Sequence, residues 1–328
     1  MSFLPPDTAR EYMNSLGTAN VPFLFILNYS LSHCLVLPLT KIRPEMLLYS
    51  FPAADNLPKQ QPSSAAFRWS PGPLSKSDYQ HSFDIVQHHL HAGNTFLTNL
   101  TCSIPVTTNL TLRDICLRAQ APYRLWLKDH FVCFSPEPFI RIDTDGQIHS
   151  YPMKGTRPAD TPNAEAALMA DPKEAAEHAT VVDLIRNDLS SVANNVQVLR
   201  YRYAETLQTH RGRLIETSSE ITGTLPANTR HRLGDILFAQ LPAGSITGAP
   251  KPKTLEIIRE AESHDRGFYT GVMGIFADGT LDSAVMIRFV EQHPDGSYVF
   301  KAGGGITAQS RCEDEYREIL EKAYVPIH

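Results

Sequence analysis

Three Asp-Gly dipeptides, Asp145-Gly146, Asp278-Gly279 and Asp295-Gly296, each separate two runs of strand-forming residues. A two-residue hairpin turn needs positive φ at both central positions, which Asp tolerates and Gly takes without steric cost. The dipeptides divide 139–143 from 147–153, 269–277 from 281–292, and 281–292 from 297–307. Strands joined this tightly pair antiparallel, because a parallel pair needs a crossover of about a dozen residues. Further strand-like runs lie at 23–29, 34–39, 95–106, 123–128 and 131–134.

Helical signals fall between these meanders. Ser77 and Gln80 have the spacing of a capping box, Tyr79, Phe83, Val86 and Leu90 follow at helical spacing, and Gly93 is a stop. Helix is also expected over about 163–193, over 253–262 behind Pro250 and Pro252, and over about 313–324. The segment from 193 to Pro226 reads as less regular. Antiparallel meanders at both ends with helices between them predict the α+β class and not a doubly wound parallel sheet. The polar, proline-bearing stretch 52–73 reads as a long loop closing a short N-terminal part, 1–75, that completes a sheet. The expectation is one domain over 1–328.

The 328 residues are 42% hydrophobic and 20% charged, enough for a sizeable core. No apolar run is long enough to span a bilayer, and residues 1–10 lack the basic-then-apolar block of a secretory leader. The five cysteines are scattered without a CxxC spacing, so a reducing, cytoplasmic setting is expected over a disulfide framework. A formal charge of −5 argues against a nucleic-acid surface.

Several residues could carry chemistry. Lys154, followed by Gly155 and Thr156 at a strand end, could be an amine nucleophile, or a solvated lysine as most are. Glu174 and Glu177 share a helix face, as do Glu315 and Glu318, and carboxylates from two helices suit Mg²⁺. Surface salt bridges use the same spacing, and Glu318 to Lys322 fits that use. Glu174 stands seven and eleven residues before Val181 and Ile185, so it is expected on the apolar face. Glu318 points away from Tyr316, Ile319, Leu320 and Ala323. Gly303, Gly304 and Gly305 could present backbone N–H groups to a carboxylate, or form a flexible turn. Arg288, within the apolar run 285–290, needs either a substrate carboxylate or a buried ion-pair partner. The loop 244–251, with Ser245 and Thr247, leads into a helix N-terminus that suits an anion, though it lacks a Walker ending. His88, His89 and His91 read as bystanders.

In their order along the chain these segments resemble the chorismate-utilising enzymes, the family of anthranilate, aminodeoxychorismate, isochorismate and salicylate synthases. The matching blocks are Ser135-Pro136-Glu137, 152–158, Lys173-Glu174-Ala175-Ala176-Glu177-His178, 183–189, 244–251, Arg266-Gly267-Phe268-Tyr269-Thr270-Gly271, Ile287-Arg288, 302–306 and Glu315-Tyr316-Arg317-Glu318. The resemblance implies two packed antiparallel sheets with helices outside and the active site in a cleft between them. It implies Mg²⁺ held by Glu174, Glu177, Glu315 and Glu318. It further implies substrate contacts from Gly155, Thr156, Ser245, Tyr269, Arg288, Gly303 and Gly305.

Lys154 lies in the P-x-K-G-T form of its segment, as in aminodeoxychorismate synthases, where anthranilate synthases have alanine. By resemblance, Lys154 would attack ring C2 of chorismate while Glu137 assists loss of the C4 hydroxyl. Ammonia would then add at C4 and expel the lysine, on the way to p-aminobenzoate and folate. Glu216 stands where anthranilate synthases carry a histidine that helps pyruvate loss, and Leu97 stands where water-using members carry a lysine base. The first departure fits a synthase that keeps the enolpyruvyl group, and the second disfavours water as the nucleophile. No Gly-x-Cys-x-Gly turn surrounds any cysteine, so a separate glutamine amidotransferase subunit is implied as the ammonia source. The alternatives are an anthranilate synthase component, or a non-catalytic chorismate-binding regulatory subunit.

Overall fold

Asp278-Gly279 makes the expected two-residue turn, with φ of 51° and 77°. Asp145-Gly146 and Asp295-Gly296 lie in the longer connections 143–146 and 293–297, where only the glycine takes positive φ. The computed structural model describes residues 2–59, 66–209 and 212–327, without the side chains of 156, 207–209, 212 and 230.

In chain order the first third comprises α1 (Pro6–Thr18), β1 (Phe23–Leu27), β2 (Cys34–Pro38), β3 (Leu47–Phe51), β4 (Ala54–Asp55), β5 (Trp69–Pro71), α2 (Lys76–His91), β6 (Leu97–Thr108) and α3 (Leu112–Arg118). The middle comprises β7 (Tyr123–Leu127), β8 (Phe131–Ser135), β9 (Pro138–Ile142), β10 (Gln147–Ser150), β11 (Met153–Pro158), α4 (Ala164–Ala170), α5 (Pro172–Ser190), β12 (Asn194–Thr209) and β13 (Gly212–Thr224). The last third comprises α6 (Leu233–Ala239), β14 (Gly248–Ala249), α7 (Lys251–Ala261), β15 (Val272–Ala277), β16 (Thr280–Val285), β17 (Phe289–Gln292), β18 (Tyr298–Ile306) and α8 (Cys312–Lys322).

Among the described residues these strands form two nine-stranded antiparallel sheets. The first runs β11-β13-β10-β9-β16-β15-β1-β2 with β12 added to β13; the second runs β14-β6-β18-β17-β8-β7-β3-β4 with β5 added to β6. Strand periodicity explains how the sheets pack. On β1, Leu24 and Ile26 join Leu47, Leu125, Leu127, Phe131 and Phe289 of the second sheet in one core. Phe23, Phe25 and Leu27 face the other way, into a core with α1, α5 and α6. A third core seats α2, α3, α7 and α8 on the second sheet. The sandwich with helices outside is therefore the expected architecture, and each sheet draws strands from both halves of the sequence.

Five expectations need correction. Residues 194–226 are not irregular: β12 and β13 form a long antiparallel ribbon. Register shifts between Asn194 and Gln197, Val198 and Arg200, and Arg200 and Tyr203 break the alternation that would have announced it. The stretch 52–73 carries the short strands β4 and β5, while its residues 60–65 lie outside the described residues. The cap of α2 is Ser75, whose hydroxyl accepts from the Asp78 N–H; Ser77 is already inside the helix. The long helix of 163–193 is two, because Asp171 caps a new start with Pro172 in its first turn. Finally, 281–292 is not one strand: β16 belongs to the first sheet and β17 to the second.

Candidate active site

The chain crosses from one sheet to the other twice at the same seam. Between β8 and β9 the crossing residues are Pro136 and Glu137; between β16 and β17 they include Arg288, which takes φ of 53°. Arg288 thus lies in a sheet-to-sheet break and not inside a strand. The two crossings are tied together, with the Phe134 N–H donating to the Arg288 carbonyl (3.0 Å) and the Val285 N–H donating to the Glu137 carbonyl (3.1 Å). Both crossing side chains line a cavity of about 790 Å³.

Strand β11 brings Lys154 to this cavity. A bulge between Lys154 and Thr156 places Gly155 at φ 77°, and a side chain there would meet Glu174 Oε2 at 2.7 Å. Glycine is needed for both reasons. The Lys154 Nζ stands 3.6 Å from Glu177 Oε2, and a methyl group on Gly305 would lie 2.5 Å from that nitrogen. The amine therefore ends between α5 and β18. Thr156 pairs with Glu216 across the ladder, and its side chain lies outside the described residues.

Helices α5 and α8 bring the four expected acids to the cavity. In the first pair Glu177, and not Glu174, is the buried member; in the second, Glu315 is buried and Glu318 stands outward as expected. Gly304 runs alongside α8, where a Cβ would make only ordinary contact with Glu315 Oε2 at 3.5 Å. Lysines thread between the acids. Lys173 reaches Glu315 at 3.3 Å and Glu177 at 3.7 Å, and Lys322 holds Glu318 at 2.6 Å while donating to the Gly303 carbonyl.

Burial chiefly pushes Glu174 and Glu315 above the usual carboxylate range. Burial also opposes charge on Glu318, but Lys322, Lys154 and Lys173 outweigh it and hold that group below its usual value. Among the described residues no three His, Cys, Asp or Glu side chains converge as a ready metal site. The donor set nonetheless suits Mg²⁺: four carboxylates supply hard oxygens, Glu177 Oε1 is buried without a hydrogen-bond partner, and lysine ammoniums now stand among them.

Opposite the lysine, Ser245 donates a short hydrogen bond to Glu137. Burial raises the Glu137 carboxyl above its usual value against the pull of that bond, of Lys154 and of Arg288. A carboxyl whose acid form is favoured in this way is suited to giving a proton to a leaving group. Tyr269 is buried with its hydroxyl beside Gly303, where a Cβ would stand 3.3 Å from it. Thr247 is not part of the cavity lining. It is fully buried and spends its hydroxyl on the Ala243 and Gly244 carbonyls, shaping the loop that presents Ser245.

Lys173 and Lys322 are site residues that sequence reasoning left out. Their i,i+4 spacing to Glu177 and from Glu318 was the signal, and it reads equally as a surface pair.

The sequence profile of chorismate binding enzymes matches residues 39–328. The chain belongs to the chorismate-binding enzyme family. A Haemophilus influenzae protein described as an uncharacterized PabA-like protein is 45% identical over 317 residues, 97% of this chain and 96% of its own length. An anthranilate synthase component 1 of Haloarcula marismortui is 36% identical over 260 residues, 73% of this chain and 49% of its own length. An aminodeoxychorismate synthase component 1 of Klebsiella aerogenes is 32% identical over 270 residues, 78% and 58% of the two lengths. The solved structure of MenF, the menaquinone-specific isochorismate synthase of Escherichia coli, superposes with a TM-score of 0.74 at 18% identity, over 98% of this chain and 82% of that one. That likeness concerns the fold. This chorismate-binding enzyme thus has the sheets, the seam and the cleft expected of its family.

Proposed function

We propose that this enzyme aminates chorismate at C4, as an aminodeoxychorismate synthase component I. The observation that carries the reading is the Lys154 amine, delivered into the cavity beside Glu177 and Gly305 together with the buried acid Glu137. The Lys154 nitrogen lone pair forms a bond to ring C2, the ring double bonds shift, and the C4–O bond breaks. Glu137 gives its proton to the departing oxygen, which leaves as water. Ammonia then bonds to C4, the double bonds return, and the C2–N bond breaks to release Lys154. A covalent adduct divides one hard substitution into two easier ones.

Arg288 would hold a substrate carboxylate, and the Gly303–305 stretch and Gly155 would let substrate approach the backbone; their place in the cavity wall supports this. Glu174, Glu177, Glu315 and Glu318 would hold Mg²⁺, which supplies positive charge for a carboxylate when bound. Ammonia would come from a separate glutamine amidotransferase, so ammonium should serve the isolated chain and glutamine should not.

The relative from Haloarcula marismortui favours a second reading, anthranilate formation; Lys154 and Glu216 speak against it. Mass analysis of products from chorismate, Mg²⁺ and ammonium at mildly alkaline pH tests both. An amine that keeps its enolpyruvyl group supports amination at C4, whereas anthranilate and pyruvate would replace that reading with the second.

A further inference from the structure

The steps above leave Glu216 unused. It stands on β13, paired across the ladder with Thr156 of β11 on one side and with Glu205 of β12 on the other. It lines the cavity with Glu137, Lys154 and Arg288. Only 7% of it is exposed, and its Oε1 is buried without a hydrogen-bond partner among the described residues. A buried acceptor left unmet costs stability, so its presence in a cavity asks for a donor from outside the chain.

The neighbours narrow what that donor can be. Glu205 is exposed on the ribbon, where its Oε2 accepts from the Ser218 hydroxyl. Glu205 thus sits opposite Glu216 across the ladder at the surface, and Glu216 shares the cavity wall with Glu137 and Arg288. Burial first, then Glu205 and Glu137, push the Glu216 carboxyl up to about 8 against the pull of Arg288. These carboxyls select a small cation rich in N–H donors and without apolar bulk.

We propose that Glu205 and Glu216 form a receiving site for ammonium, in which the Glu216 carboxylate takes a proton from NH₄⁺ and releases ammonia beside the substrate. An N–H bond breaks with its electron pair left on nitrogen, an O–H bond forms on Glu216, and the freed lone pair makes the C–N bond. A carboxyl that grips its proton this firmly is a far better acceptor from ammonium than an ordinary one. The inference rests on the amination reading for its use in turnover, but the site itself can be read without turnover.

The test uses the full chain with ammonium chloride as probe and potassium chloride as control. In the kinetic arm, Glu216→Gln should raise KM for ammonium about tenfold while leaving KM for chorismate nearly unchanged. It should also flatten the rate profile between about pH 7 and 9, and Glu216→Asp should restore part of both. Glu205→Gln should give a smaller rise in KM for ammonium alone. In the infrared arm, ammonium but not potassium should alter a protonated-carboxyl band that Glu216→Gln lacks. A wild type that forms no aminated product yet shows the band response would keep the site and remove the amination reading. A wild type that aminates while Glu216→Gln keeps its ammonium KM, with no band response, would overturn the proposal. Absence of both product and band response would overturn both.

Discussion

Gly305 and Lys154 meet so closely that one methyl group separates two roles of the site. An alanine Cβ at 305 would fall 2.5 Å from the Lys154 Nζ and 3.1 Å from a Leu97 methyl. The amine ends a flexible side chain, so the fold can move it aside at little cost, but not without taking it from its place. Gly305→Ala should lower kcat/KM by about a hundredfold, since a shift of roughly an ångström costs that much. Its melting temperature should stay within about 3 °C of wild type by calorimetry. Lys154→Ala should abolish amination with the circular dichroism spectrum unchanged; full turnover would exclude a covalent step.

Glu216 gives a prediction about stability as well. Its folded pKa, about 8, exceeds its ordinary 4.5, so the native state keeps a proton that the unfolded chain gives up. Stability from this group is whole at acid pH and falls as pH rises from about 4.5 to 8, by about 1.4 kcal/mol per unit at most. Denaturant midpoints of wild type should therefore decline more steeply across that window than those of Glu216→Gln, and run parallel above it. At the residue scale, Lys154 stood out by its strand-end Gly-Thr context but not from a solvated lysine, and Glu137 was named only through the family pattern. Spacing alone could not separate either from an ordinary surface residue, because neither carries its surroundings in the local sequence.

Two helices decide the acid cluster. Asp171 caps α5 through the Lys173 and Glu174 N–H groups and so sets which way the first acid pair faces. Helix α8 carries Glu315 inward and leaves Glu318 at the rim, held by Lys322. Glu318→Gln should raise the Mg²⁺ concentration for half-maximal activity by about tenfold, read by metal titration. An unchanged titration would remove Glu318 from the metal site. The i,i+3 spacing announced that each pair shares a face, but not how each face meets the sheets. The ribbon of β12 and β13 was illegible for a related reason: its bulges shift the side chains from one face to the other, and the pattern of two dissolves.

Substrate should report on the molecule as a whole, because the cavity takes Lys154 and Glu216 from one sheet, Gly303 to Gly305 from the other, and the acids from helices on both. Chorismate without ammonium, at about a hundredfold above Kd, should stabilise the fold by about 2.7 kcal/mol and raise the melting temperature by several degrees. A shift lost in Arg288→Ala but kept in Glu205→Gln would place the binding energy at the seam. The sequence by itself determined the antiparallel class, through Asp-Gly turns whose backbone needs are local, and the helical regions of α2, α4 with α5, α7 and α8, through period and stop signals, but not α1, α3 or α6. The family blocks took in many of the lining residues, but not Asn99, Arg213, Glu216 or Lys322. Only the tertiary structure decided that β16 and β17 part company at Arg288, that Lys173 and Lys322 stand among the acids, and that Glu216 Oε1 is buried without a hydrogen-bond partner among the described residues. Those facts depend on which distant segments pack against one another, and a local pattern carries no record of its neighbours across a sheet.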